Sequence, residues 1–181
     1  MAQGVGAVTW VRFAPVLLVA LIVAALVWRL ANPPDTTIHS QMIGKPVPQF
    51  ALAPAIPGQQ GLSSRELADG KPKLVHFFAS WCVPCIGEAP VLDHLKQRGV
   101  TIEGIAVRDR PDELTQFLGK NRDPFDRLGS DPQSETQLAF GSSGVPESFI
   151  VDGRGIIRLQ HVGPIEAAEI GSIVAAVEQA K

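Results

Sequence analysis

The chain's two cysteines stand together in one tetrad, Cys82-Val83-Pro84-Cys85. Residues three apart on a helix share one face, so the two sulfurs come within bonding distance. The tetrad follows an apolar run and opens a helical segment, which places Cys82 at a helix N-terminus. Free N–H groups and the macrodipole favour an anion there, and the thiolate is the sulfur species that attacks disulfides. Pro84 suits the first helical turn, where a missing N–H costs nothing. The pattern predicts reversible dithiol–disulfide chemistry. Two plainer alternatives stand beside it: a structural disulfide and half of a metal site. A bond closing so short a loop constrains the unfolded chain little. For a metal, the remaining candidates His39, His76, His94 and His161 include no second close-spaced pair, so neither a metal nor a cofactor is expected. Ile86 occupies the place where covalent haem attachment needs a His directly after the second Cys.

The elements that hold this pair follow from hydrophobic periodicity. Residues 73–79 (KLVHFFA) form a nearly continuous apolar run, as in a strand buried on both faces. A helix is expected from about 82 to 98, a strand over 101–107, a helix over 112–120 and a further short helix within 131–140. Strands 148–151 and 156–161 are joined by Asp152-Gly153-Arg154-Gly155, a hairpin turn signal, and residues 166–180 close the chain as a helix. Upstream, 49–52 reads as a short strand and Ser63-Ser64-Arg65-Glu66 as the start of a short helix. Parallel crossovers followed by an antiparallel hairpin imply an α/β domain with a mixed sheet and helices on both faces.

Residues 13–28 carry no charge, and sixteen residues span about 24 Å as a helix. Arg12 and Arg29 can snorkel outward, while Trp10 and Trp28 suit the two interfaces. A retained transmembrane anchor over 13–31 is therefore expected, after a short N-terminus of residues 1–12. A cleaved signal and a buried core helix are the rival readings. Residues 32–41 (NPPDTTIHSQ) read as a linker, leaving 42–181 as one domain. Basic residues on both sides of the apolar run leave its orientation open by charge alone. All acidic residues follow the run, and the remainder carries 14 basic and 18 acidic residues, a net of −4. That balance speaks against a nucleic-acid-binding surface.

Trp81-Cys82-Val83-Pro84-Cys85 after an apolar strand, with Pro90 eight residues beyond Cys82, resembles the thioredoxin superfamily. In that superfamily a Pro at this place kinks the active-site helix. Gly144-Val145-Pro146-Glu147 before a strand matches the element that carries a cis-proline facing the cysteines. The sequence is similar to the CcmG/DsbE family, the thiol:disulfide interchange proteins of cytochrome c maturation, over essentially its whole length. The match rests on the anchor, on Ile43-Gly44-Lys45-Pro46-Val47-Pro48-Gln49-Phe50, on Glu88 and Gly144-Val145-Pro146-Glu147, and on Val151-Asp152-Gly153-Arg154-Gly155-Ile156-Ile157-Arg158.

The resemblance implies a thioredoxin-like domain behind an N-terminal transmembrane helix, single-pass in the inner membrane with the C-terminal domain in the periplasm. Cys82 would be an exposed nucleophile and Cys85 the resolving cysteine; Trp81, Val145 and Pro146, with Pro146 cis, would bind an extended substrate. The family reduces apocytochrome c and is itself re-reduced by a membrane thiol transporter of the DsbD/CcdA type. Two other functions stay open: an oxidising disulfide donor, and a non-catalytic module that binds apocytochrome. Residues 44–48 also resemble peroxiredoxin openings, but Ala79 stands where a peroxidatic centre carries Thr. Glu88, Glu147 and His76 are expected to modulate the thiol pKa values, a nearby negative charge opposing the thiolate. His76 stands where thioredoxins bury an Asp and could relay a proton to Cys85. The bland alternatives are a solvated charge for Glu88, a turn residue for Glu147 and a hydrogen-bonded core histidine for His76. His39, His94 and His161 read as linker or surface residues.

Overall fold

Leucine, valine and alanine in unbroken succession favour a helix that is apolar all round. The computed structural model describes the backbone of residues 7–32 and 40–181, and the side chains of 13–32 and 40–181. Its first helix, α1, spans Ala7–Ala31. Within it Phe13–Ala31 is long and apolar enough to cross a membrane, and Leu17, Leu21 and Trp28 are all exposed. The helix begins inside the expected N-terminal segment. Residues 33–39 of the expected linker, His39 included, lie outside the described residues. The chain divides into two units, Met1–Thr37 and Ile38–Lys181.

The second unit is organised by β3 (Lys73–Phe78), whose six residues are all buried. Its neighbours are β4 (Ile102–Val107) on one side and β6 (Glu147–Val151) on the other. Strands β5 (Arg127–Asp131) and β7 (Ile157–Val162) form the edges, in the order β5-β4-β3-β6-β7. The β3–β4 and β4–β5 pairs are parallel; β3–β6 and β6–β7 are antiparallel, giving the mixed sheet expected. Two successive right-handed crossovers stepping the same way put α2 (Val83–Gln97) and α3 (Pro111–Asn121) on one face. Leu92, Leu95, Leu114 and Leu118 meet Leu74, Phe78 and Ile102 there, joined by Ile173 and Val177 of α5 (Ile170–Gln179). The opposite face, with Val75, Phe77, Ile105, Phe149 and Val151, is covered by Leu62, Leu67 and Phe140 at the end of the short α4 (Glu135–Ala139). Each large apolar side chain so buried contributes about 2 kcal/mol.

The structure departs from the periodicity in the polar segments. The expected first strand shrinks to β1 (Ala51–Leu52), which pairs with β2 (Leu62–Ser63). The Ser63-to-Glu66 signal starts only a single 3-10 turn, Glu66–Ala68, in which Glu66 Oε2 accepts the Ser63 N–H at 2.8 Å. Strand β5 gives no apolar signal because RLGSD is an edge strand with Gly at its centre. A Cβ at Gly129 would meet the Leu52 Cβ at 2.8 Å, so close approach of β1 demands Gly. The closing helix splits into a 3-10 turn, Ala167–Glu169, held by a Glu166/Glu169 capping box, and then α5.

Candidate active site

Strand β3 delivers the chain to the end of the sheet, where Cys82 takes an extended conformation and caps α2. Its Sγ accepts the Cys85 N–H at 3.3 Å, and Pro84 lies in the first turn, which asks for no donor there. Cys82 and Cys85 are joined in a disulfide, their Cα atoms 5.3 Å apart. The first α2 turn thus faces the sulfur expected to carry negative charge on reduction. One expectation needs correcting. Cys82 is not exposed in this disulfide form: it is 5% accessible against 2% for Cys85. Both sulfurs belong to the core cluster that includes Ala79 and Ile165, and the exposed groups at the pair are Trp81, Val83 and Ile86.

A clamp from the β4–α3 connection fixes the approach to the tetrad. Ser80 donates its N–H to Asp109 Oδ2 at 2.5 Å and its hydroxyl to Oδ1 at 2.7 Å, while the Arg110 N–H donates to Oδ1 at 2.9 Å. The Trp81 indole N–H donates to the Arg108 carbonyl at 3.2 Å. To present that carbonyl, Arg108 adopts φ 49°, a left-handed conformation that costs a non-glycine residue about 1 kcal/mol. The periodicity gave no hint of Arg108 or Asp109. A usable signal was the parallel pairing of adjacent strands, which brings the ends of β3 and β4 together.

The third wall is the loop before β6. The β3–β6 register pairs Phe77 with Glu147, so Val145 and Pro146 lie beside the end of β3, and the Val145–Pro146 peptide is cis. The Gly144 carbonyl accepts from Gln137 Nε2 at 2.8 Å and lies 3.1 Å from Ser142 Oγ. Val145 is half-buried and packs against both core clusters. A groove lined by Arg108, Leu138 and Val145 runs from Trp81 to this loop; Trp81 also lines a second, with Ile86, Gln116 and Phe117.

The three residues expected to tune the thiols are interior groups. Glu88 is 2% accessible and is no solvated helix charge: Oε1 lies 2.9 Å from His76 Nε2, and Oε2 accepts the Ile165 N–H at 2.8 Å. His76 Nδ1 lies 2.8 Å from Ser148 Oγ, and its ring stacks on Phe78 and Phe125. Nε2 and Glu88 Oε1 are close but not aligned as a hydrogen bond, so the serine is the ring's one hydrogen-bond partner among the described residues. Glu147 is fully buried and starts β6 rather than sitting in a turn. Its Oε2 accepts from Ser142 Oγ at 2.9 Å, the Ser143 N–H at 2.8 Å and Ser143 Oγ at 3.2 Å, and Oε1 accepts from Gln160. His94 is exposed. His161 is half-buried, with Nε2 3.2 Å from Glu169 Oε1.

A closed dithiol pair at a helix entrance, flanked by an exposed indole and a cis-proline loop, is built to exchange electrons with another thiol pair. Residues 42–177 match the family model described as Redoxin. The chain is 39% identical over 153 residues to the thiol:disulfide interchange protein HelX of Rhodobacter capsulatus, covering 84% of this chain and 86% of that one. It is 33% identical over 155 residues to the thiol:disulfide interchange protein DsbE of Escherichia coli, covering 83% and 84%. Among solved structures it is similar to a thiol:disulfide interchange protein of the thioredoxin family from Chlorobium tepidum, with a TM-score of 0.60 and 28% identity over 75% of this chain and 94% of that one. With that fold and that pair, the chain belongs to the redoxin family, among the DsbE/HelX thiol:disulfide interchange proteins.

Proposed function

We propose that the protein is a membrane-anchored reductant of the periplasm that opens disulfides of apocytochrome c before haem is attached. Residues 13–31 anchor it in the inner membrane, residues 1–12 stay on the cytoplasmic side, residues 32–41 act as linker, and the domain of residues 42–181 works outside. In the reduced protein Cys82 is the nucleophile. Its thiolate attacks a client disulfide, forming a Cys82–client bond and releasing one client thiolate. Cys85 then attacks Cys82, the mixed disulfide breaks, and the second client sulfur leaves. Two electrons pass to the client, two protons complete its thiols, and the Cys82–Cys85 bond is left behind. A membrane thiol transporter of the DsbD/CcdA type restores the dithiol. Trp81 and Val145 face the client, and Pro146, buried beneath them, shapes that surface.

The observation that carries this reading is the disulfide itself, closed across the first turn of α2. Replacing Cys85 with Ala removes the resolving sulfur, so an exchange enzyme accumulates a covalent adduct between Cys82 and an apocytochrome peptide bearing a Cys-x-x-Cys disulfide. Non-covalent binding that is equally tight without either cysteine would instead make the protein a holding module.

A further inference from the structure

The carboxylate of Glu147 does not float free behind the cis-proline loop; it is aimed. Gln160 of β7 pairs with Phe149 in register, so it sits diagonally across from Glu147 on the same face of the β6–β7 ladder. Its Oε1 accepts the Ser40 backbone N–H at 2.6 Å, which turns the amide nitrogen toward Glu147 Oε1. With that oxygen held, Oε2 faces the loop and takes three donors from Ser142 and Ser143. Ser142 Oγ in turn contacts the Gly144 carbonyl, one residue before the cis Val145–Pro146 bond. The base of the same loop is held independently. Ser40 Oγ donates to the Phe140 carbonyl at 2.5 Å and accepts the Met42 N–H at 3.0 Å. Gly141 there has φ 68°, and a Cβ on it would lie 2.8 Å from Ser40 Oγ.

We propose that Gln160, oriented by Ser40, is a positioning residue for the client-binding loop: it holds Glu147 so that residues 142–145 keep one shape. The proposal rests on the reading that clients dock at Val145 and Pro146. A loop held in its bound shape does not have to be ordered when the client arrives, so its brace governs affinity more than the sulfur chemistry. The bridge also joins Ser40, near the end of the expected linker, to the loop that meets the client.

The test uses the full chain in detergent, with Gln160→Leu, which is tolerable because the site is half-buried. Gln160→Met, similar in volume and also lacking the amide, serves if the leucine variant misfolds. Amide hydrogen exchange of residues 142–145 should speed up about tenfold, the effect of losing one charge-assisted hydrogen bond. With an oxidised peptide carrying two cysteines three apart as substrate, KM should rise about fivefold while kcat stays within about twofold. Unchanged exchange at 142–145 overturns the proposal. Faster exchange with an unchanged KM overturns the docking reading and the proposal with it, leaving only the brace.

Discussion

Burial of Glu103 makes the stability of the domain fall as pH rises. Glu103 lies on β4 between Val75 of β3 and Arg127 of β5, is 2% accessible, and its Oε2 has no hydrogen-bond partner among the described residues. Desolvation pushes its carboxyl up to about 7, with Asp126 adding to the rise and Lys73 and Arg127 opposing it. The ordinary value is 4.5, so the difference is about 2.5 units, and at 1.36 kcal/mol per unit this amounts to about 3 kcal/mol. The folded state holds a proton here that the unfolded chain gives up. Folding is therefore favoured by this group below about pH 4.5, loses that advantage progressively up to about pH 7, and is level beyond it. Glu103→Gln keeps the shape and removes the titration. Pulse proteolysis in urea, run on the full chain in detergent, should find the stability gap between E103Q and the parent widening by about 2 to 3 kcal/mol in favour of E103Q between pH 5 and pH 8. A gap of the same size at both pH values would refute the assignment and mean that the carboxylate finds a solvated or paired conformation.

Asp109→Ala should lower stability by about 2 kcal/mol, through three lost acceptor contacts to Ser80 and Arg110, and slow exchange with a disulfide peptide about tenfold. Parent-like melting and exchange kinetics would dissolve the clamp. At the β6–β7 turn, burial raises the Asp152 carboxyl, but donors from Ile156, Arg158 and Arg154 outweigh it and hold the group down to about 2. The stability it contributes, about 2 kcal/mol, should be complete above about pH 4 and lost as pH falls toward 2. An Asp152→Asn variant with the same acid limb as the parent would contradict that.

What was legible in the sequence depended on how local the determining forces were. Strand β3 showed itself as an apolar run because both its faces are covered, and α2 because the tetrad, Pro84 and the leucine spacing coincide within one segment. Edge strand β5 did not, since it is short, carries Arg, Ser and Asp, and has Gly at its centre. Nothing local in TIEGIAV marks Glu103 as interior; it is buried because both faces of β4 are covered. The site divides the same way. The sulfur pair and the proline loop are short words, readable in place. The partners of His76 are not, because Glu88, Ser148 and Ile165 come from a helix, a neighbouring strand and a distant loop. Only the folded topology brings them together.

That division bears on the electrostatics of the cysteines. Two carboxylates were expected to bear on Cys82, yet Glu88 is engaged by His76 and the Ile165 N–H, and Glu147 by the loop donors and Gln160. A carboxylate that already accepts several donors projects less field than a bare one, because the donor dipoles oppose its charge. The surface about the pair is largely apolar, with Trp81, Val83, Ile86 and Leu138 exposed. The N-terminus of α2, through the Cys85 N–H on Cys82 Sγ, is then a direct polar influence on that sulfur. His76 fits the same logic. Its ring nitrogens face Ser148 and Glu88, so the buried ring ties β3, β6 and α2 together by contact. Removing the ring would open a void against Phe78 and Phe125, and an unfilled interior space left by an aromatic ring costs about 3 kcal/mol or more. The first consequence of losing His76 is therefore loss of packing between sheet and helix, with any change in thiol exchange following from it.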